Sequence, residues 1–182
     1  MFSSLYTPLM LLLFALILRG ISFEMRSKEE ASWWRATWDT CMVVGSFLPA
    51  LLLGVAFANI FKGLPLDSDG ILHGNLFTLL NPYGLLGGVL FVLLFTVHGS
   101  LWLAVKTEGE MRERGARSAA RLWIPLLLVA VAFLVATYLV TDLYANIARW
   151  PVLAIFPLLA VLGLLGSRLF LAKQAYWKAW GA

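Results

Sequence analysis

One cysteine in 182 residues, Cys41, excludes an internal disulfide and any cysteine-built metal site. It stands at the start of an apolar run and reads as a small packing residue. Histidine is nearly as scarce, with His73 and His98 the two present. Charged residues make up 13% of the chain, about half the norm for a globular domain. GxSxG, P-loop, HExxH, CxxC and dinucleotide-binding fingerprints are all missing, so no familiar catalytic motif is carried. Low-complexity linkers and a polar domain are missing too.

Apolar length is what the chain has in abundance. Hydrophobic residues form 61% of it, and the mean hydropathy is +0.85. They fall in five stretches, at 5–23, 40–61, 83–105, 122–143 and 151–171. A bilayer core about 30 Å thick needs roughly 20 helical residues, and each stretch supplies them. The predicted fold is all-α: one transmembrane helix bundle over residues 1–182 with five spanning helices. The sequence pI near 9.5 does not point to nucleic acid, because the basic residues sit in short loops between apolar runs.

Those loops set the orientation. Arg19, Arg26, Lys28 and Arg35 precede the second span, and Lys106, Arg112, Arg114, Arg117 and Arg121 precede the fourth. Arg168, Lys173 and Lys178 follow the fifth, leaving Lys62 and Arg149 on the opposite side. The positive-inside rule then predicts an external N-terminus and a cytoplasmic C-terminus. All eight tryptophans fall near predicted span ends, where an amphipathic indole is well solvated. Residues 1–10 have no basic n-region and no cleavage site, so they do not read as a signal peptide.

Between the spans, Glu24–Asp39 predicts a short interfacial turn, with Asp39 capping the second helix. Asn81-Pro82 reads as an N-cap followed by a proline in the first turn. Glu108 and Arg112, four residues apart, predict a helix that continues beyond the membrane. Gly54 with Ala58, Gly84 with Gly88, and Gly163 with Ser167 place small residues where helices can approach closely. Arg19-Gly20 and His98-Gly99 echo each other, each closing an odd-numbered span ahead of a charged loop.

Three residues are candidates for a role within the membrane: Arg19, Glu24 and His98. An arginine inside an apolar helix costs roughly 2.5–3.5 kcal/mol on insertion scales, so it snorkels or pairs. Glu24 lies five residues on, about 140° around the helix, and is a poor local partner. That leaves headgroup snorkelling, an acid on another helix, or a cofactor propionate in a partner chain. His98 is the one histidine within a span. It reads as a buried neutral histidine bonded to a neighbouring helix, with a single axial haem ligand as the alternative. Read from these residues alone, a small transporter or channel component and a purely structural membrane protein are rivals to an enzyme subunit. A transporter predicts polar groups at midplane and inverted repeats, and these spans have few of the first.

Several runs carry a resemblance. They are residues 14–24 (FALILRGISFE), 45–56 (GSFLPALLLGVA), 59–66 (NIFKGLPL), 79–86 (LLNPYGLL), and His98-Gly99 with 106–110 (KTEGE). In this order and spacing, from about Phe2 to Arg117, they resemble subunit II of cytochrome bd quinol oxidase. From Arg121 onward the likeness lies in hydrophobic pattern. The resemblance implies the central five-helix portion of a longer subunit, in a bacterial or archaeal plasma membrane. It implies an accessory role, with the quinol site, haem b and haem d in subunit I. No haem is expected on this chain alone, and no catalytic residue carries over. The implied partners are subunit I, a small single-helix subunit, membrane lipid and quinone. Arg19 matches the family's arginine after this apolar run.

Overall fold

The computed structural model describes residues 6–63 and 76–182. His73 and the Leu64–Asp67 run lie outside the described residues. Eight α-helices and one 3₁₀ turn account for the secondary structure assigned there. Five of them are long and apolar enough to cross a membrane. These are α1 (Tyr6–Met25), α2 (Ser32–Lys62), α4 (Pro82–Lys106), α5 (Gly109–Val140) and α7 (Ile155–Ala172). Short helices α3 (Leu76–Leu79), α6 (Leu143–Arg149) and α8 (Tyr176–Gly181) join or follow them. Pro49 and Pro125 lie inside α2 and α5 without ending either helix.

Every predicted span has its helix, but several boundaries differ. The second helix begins at Ser32, well before residue 40, so the predicted turn contracts to a few residues after Met25. Asp39 consequently lies within α2 and does not cap it; Ala31 holds the cap position with no side-chain bond. Polar residues such as Arg35 and Asp39 hide this extension from a hydrophobicity reading, since it needs no apolar face outside the bilayer. The fourth span does continue outward, to Gly109, but the predicted Glu108–Arg112 pair is not formed. Glu108 is extended at the N-cap, and the Arg112 Nε–H donates instead to the Thr107 carbonyl at 2.8 Å. At its other end α5 stops at Val140, and Leu143 begins the separate helix α6. Pro151 opens a 3₁₀ turn, and the fifth spanning helix starts only at Ile155.

The chain divides into two compact units, Met1–Val92 and Leu93–Ala182. In the first, α1 and α2 pack as an antiparallel hairpin. Gly45 makes this possible: a Cβ there would lie 2.7 Å from the Ala15 carbonyl oxygen and 2.9 Å from Arg19 Cβ. The hairpin turn is clasped twice. Arg26 holds Asp39 through Nε at 2.5 Å and Nη2 at 3.4 Å, and the Trp34 indole N–H donates to Met25 O at 2.7 Å. Trp33, Trp34 and Trp38 stand edge to face, each neighbouring pair 5.6 Å apart. The hydrogen bond from Arg26 to Asp39, and then the charge of that carboxylate, raises the guanidinium's pKa above its ordinary value.

α2 also crosses the first half of α4 at contact distance. A Cβ on Gly54 would strike the Gly87 carbonyl oxygen and come within 2.8 Å of Gly88 Cα. The Gly54 and Gly88 positions predicted for close approach do meet, and dispersion between touching backbones is the gain. In the second unit the corresponding crossing joins α4 to α5. A Cβ on Gly115 would lie 2.9 Å from Ser100 O and 3.2 Å from Ala104 N, and Ala104 and Ala119 are fully buried. Hydroxyls within the helices return their hydrogen bonds to the preceding turn, as Ser22 does to Leu18 O at 2.6 Å.

Candidate functional site

Arg19 projects from α1 on an exposed position, with its Cβ against the Gly45 notch. It lies six residues before the end of α1, about 9 Å along the axis at 1.5 Å per residue. Among the described residues it makes no ion pair. Glu24 has a different partner: the Lys28 ammonium at 3.9 Å, one turn later and well exposed. The two candidates therefore share a helix without being brought together, as the 140° offset predicts.

His98 departs from its predicted setting. It is exposed on α4 and makes no hydrogen bond among the described residues, so it is not a buried histidine tied to a neighbouring helix. Its ring rests instead against Trp180 of α8, centroids 5.2 Å apart. The two side chains line an apolar cleft of about 260 Å³ with Leu94, Val97, Leu126 and Leu164. Such a lining accepts hydrocarbon and offers little to a charged substrate. Among the described residues, no three His, Cys, Asp or Glu side chains cluster as metal ligands would.

One polar centre escaped the sequence reading. Asn59, 4% exposed near the end of α2, donates through Nδ2 to Val55 O and Leu79 O, both at 2.8 Å. Its Oδ1 accepts from Asn81 Nδ2 at 2.7 Å. Asn81 Oδ1 in turn accepts the Gly84 N–H at 2.9 Å, which makes Asn81 the predicted cap of α4. Two amides thus close the junction of α2, α3 and α4. An amide inside an otherwise apolar run was the available signal, because an unsatisfied group there is costly.

The comparisons with known proteins agree along the chain. The family model for cytochrome bd terminal oxidase subunit II matches residues 1–182. The cytochrome bd-I ubiquinol oxidase subunit 2 of Escherichia coli K12 is 39% identical over 139 residues, 74% of this chain and 36% of that protein. The cytochrome bd ubiquinol oxidase subunit 2 of Bacillus subtilis is 32% identical over 146 residues, covering 80% and 43%. A probable cytochrome oxidase subunit 2 of Haemophilus influenzae is 34% identical over 202 residues, covering 93% and 53%. The chain spans about half or less of the length of these curated relatives. With five membrane-spanning helices and a family match from end to end, this chain is a multi-pass membrane protein of the cytochrome bd terminal oxidase subunit II family.

Proposed function

We propose that the chain is part of the accessory subunit of a cytochrome bd-type quinol oxidase in a prokaryotic plasma membrane. The carrying observation is the family match over residues 1–182, supported by relatives named as subunit 2 of ubiquinol oxidases. It favours the oxidase subunit over a transporter or a purely structural protein. In this reading quinol oxidation and oxygen reduction take place in a complex with subunit I, which holds haem b and haem d. This chain supplies helices that buttress that partner and binds no haem by itself. Its two histidines do not share a depth in the apolar stretches, His98 falling within 83–105 and His73 between 40–61 and 83–105, so they make no bis-histidine set for an iron. Expression of the chain alone and with a matching subunit I tests this through difference spectra and quinol-dependent oxygen uptake. A stoichiometric haem spectrum from the isolated chain, lost in His98→Ala, would overturn the accessory role.

Arg19 is the residue through which this chain serves the complex, by pairing with an anionic group on another helix or on a cofactor of subunit I. Its exposure and its lack of an ion pair among the described residues support this, since an unpaired charge in apolar surroundings is costly. In the assembled oxidase, Arg19→Leu is expected to lower haem incorporation or turnover about tenfold, the effect of losing roughly 1.4 kcal/mol. Glu24→Gln, which loses only an exposed contact with Lys28, should change either by less than about twofold. Full activity of Arg19→Leu would leave snorkelling as the better account.

The charge distribution also supports a cytoplasmic α4–α5 turn and an external segment between α2 and α3. Single cysteines at Glu113 and Asp69, in a Cys41→Ser background, are expected to differ in labelling by an impermeant thiol reagent on intact cells. Position 69 should label and position 113 should not. The reverse pattern would invert the topology.

A further inference from the structure

The Leu93–Ala182 unit gathers cations at one end without neutralising them. Lys106 closes α4, the arginines at 112, 114, 117 and 121 follow in α5, and Arg168, Lys173 and Lys178 come from α7 and its continuation. The acids beside them are Glu108, Glu110 and Glu113, and among the described residues none of these forms an ion pair. Aromatic rings lie beneath three of the cations instead, at Lys106, Arg112 and Arg168. The Lys106 ammonium lies 4.9 Å from the Trp102 ring centroid and 5.5 Å from that of Trp177. The Arg112 guanidinium lies 5.9 Å from the Tyr176 ring, with Nε committed to Thr107 O.

Two turns bring these groups together. Gly109, at φ 59°, lets the chain reverse between α4 and α5, and Gln174, at φ 56°, takes the same left-handed conformation between α7 and α8. The second turn lays α8 back so that Trp177 meets Trp102 edge to face at 6.0 Å. A ring beneath a cation orders it while leaving its outward N–H donors free for an anion.

We infer that the junction of α4, α5 and α8 is a contact surface for the phosphate group of an anionic membrane phospholipid. Charge complementarity selects an anion, and Lys106 and Arg112 present ammonium and guanidinium donors suited to phosphate oxygens. The indoles select a lipid over an acidic protein segment. Trp102 and Trp177 remain 40% and 59% exposed beside the cations, where α4 leaves its apolar span. A phospholipid matches both features, since its phosphate lies next to glycerol and acyl chains at the depth that indoles prefer. An acidic segment would satisfy the cations and leave the indoles uncovered. The inference rests on membrane residence and does not depend on the oxidase assignment.

The test uses the full chain in phosphatidylcholine vesicles containing a small, equal fraction of dibrominated phosphatidylglycerol or dibrominated phosphatidylcholine. Bromine quenches indole emission on contact, so the tryptophans report which lipid is adjacent. Each cation near a bilayer surface enriches anionic lipid by roughly fivefold. The dibrominated phosphatidylglycerol should therefore quench at least about twofold more strongly. The excess should shrink in high salt, and it should fall by at least about half in Lys106→Gln/Arg112→Gln and in Trp102→Phe/Trp177→Phe. Lys106→Arg/Arg112→Lys should retain it, as should Arg149→Gln. Equal quenching by the two lipids overturns the inference, as does an excess left unchanged by Lys106→Gln/Arg112→Gln. Loss of the excess when subunit I is coassembled would assign the surface to an acidic partner segment and overturn it as well. Should a neutralised variant fail to fold, the excess in the parent chain and its salt dependence decide alone.

Discussion

Gly54→Val is expected to leave little stably folded protein. The new Cβ would meet the Gly87 carbonyl oxygen and come 2.8 Å from Gly88 Cα, and both obstacles are backbone of α4. A flexible side chain could swing away, but a helix backbone moves only with its whole helix. Overpacking a tight contact commonly costs about 1–3 kcal/mol, and a contact against rigid backbone belongs at or above the top of that range. Membrane helices have little hydrophobic drive to hold them together once backbone approach is lost. Gly99→Ala is the control, because nothing lies within 4 Å of its would-be Cβ. That change should be neutral, or stabilising by up to about 1 kcal/mol through helix propensity. Thermal midpoints in detergent would measure both. Equal midpoints for Gly54→Val and the parent would mean that α2 and α4 do not cross at this point.

Asn59→Ala is expected to be the second large effect, destabilising by about 1–3 kcal/mol. It removes two donated bonds to Val55 O and Leu79 O and the acceptor for Asn81 Nδ2. Asn81 would keep its cap bond from Gly84 N–H, but its Nδ2 would be left with longer contacts, to Thr78 O at 3.3 Å and Leu79 O at 3.5 Å. Asn81→Ala should cost less, because the bonds of Asn59 to backbone survive. A double-mutant cycle over the two positions should give a coupling of about 1 kcal/mol. Additive single changes would show that the two amides act independently.

How far each feature could be read from the sequence depended on its physical origin. The five spans were plain because bilayer thickness demands long apolar windows. The start of α2 at Ser32 was not, since helix outside the bilayer can be as polar as any surface helix. Gly54 and Gly88 were legible from small-residue spacing. The Gly115–Ala119 face against Ser100 and Ala104 is masked in the sequence by the charges of the α5 extension around it. The position of His98 in an apolar run predicts burial, but periodicity does not say which face a neighbour covers, and it is against Trp180 that the ring rests. Asn59 stood in plain view as a polar residue in an apolar setting. Its partners beyond its own helix lie 20 and 22 positions away, out of reach of any local pattern.

The double clasp at the α1–α2 turn has a consequence for how the protein is made. Arg26 reaches Asp39 across 13 positions, and Trp34 reaches Met25 across nine. Such short loops close with little entropy loss. Both contacts become available once the nascent chain has emerged past Asp39, while α4 and everything after it is still to be translated. At about 5–20 residues per second, the ribosome gives this pair seconds of lead over the remaining spans. The two helices can then enter the bilayer as a preassembled hairpin, against which later helices find a fixed surface. Severing both clasps would spare the finished contacts deeper in the hairpin and show itself first as a lower yield of inserted protein.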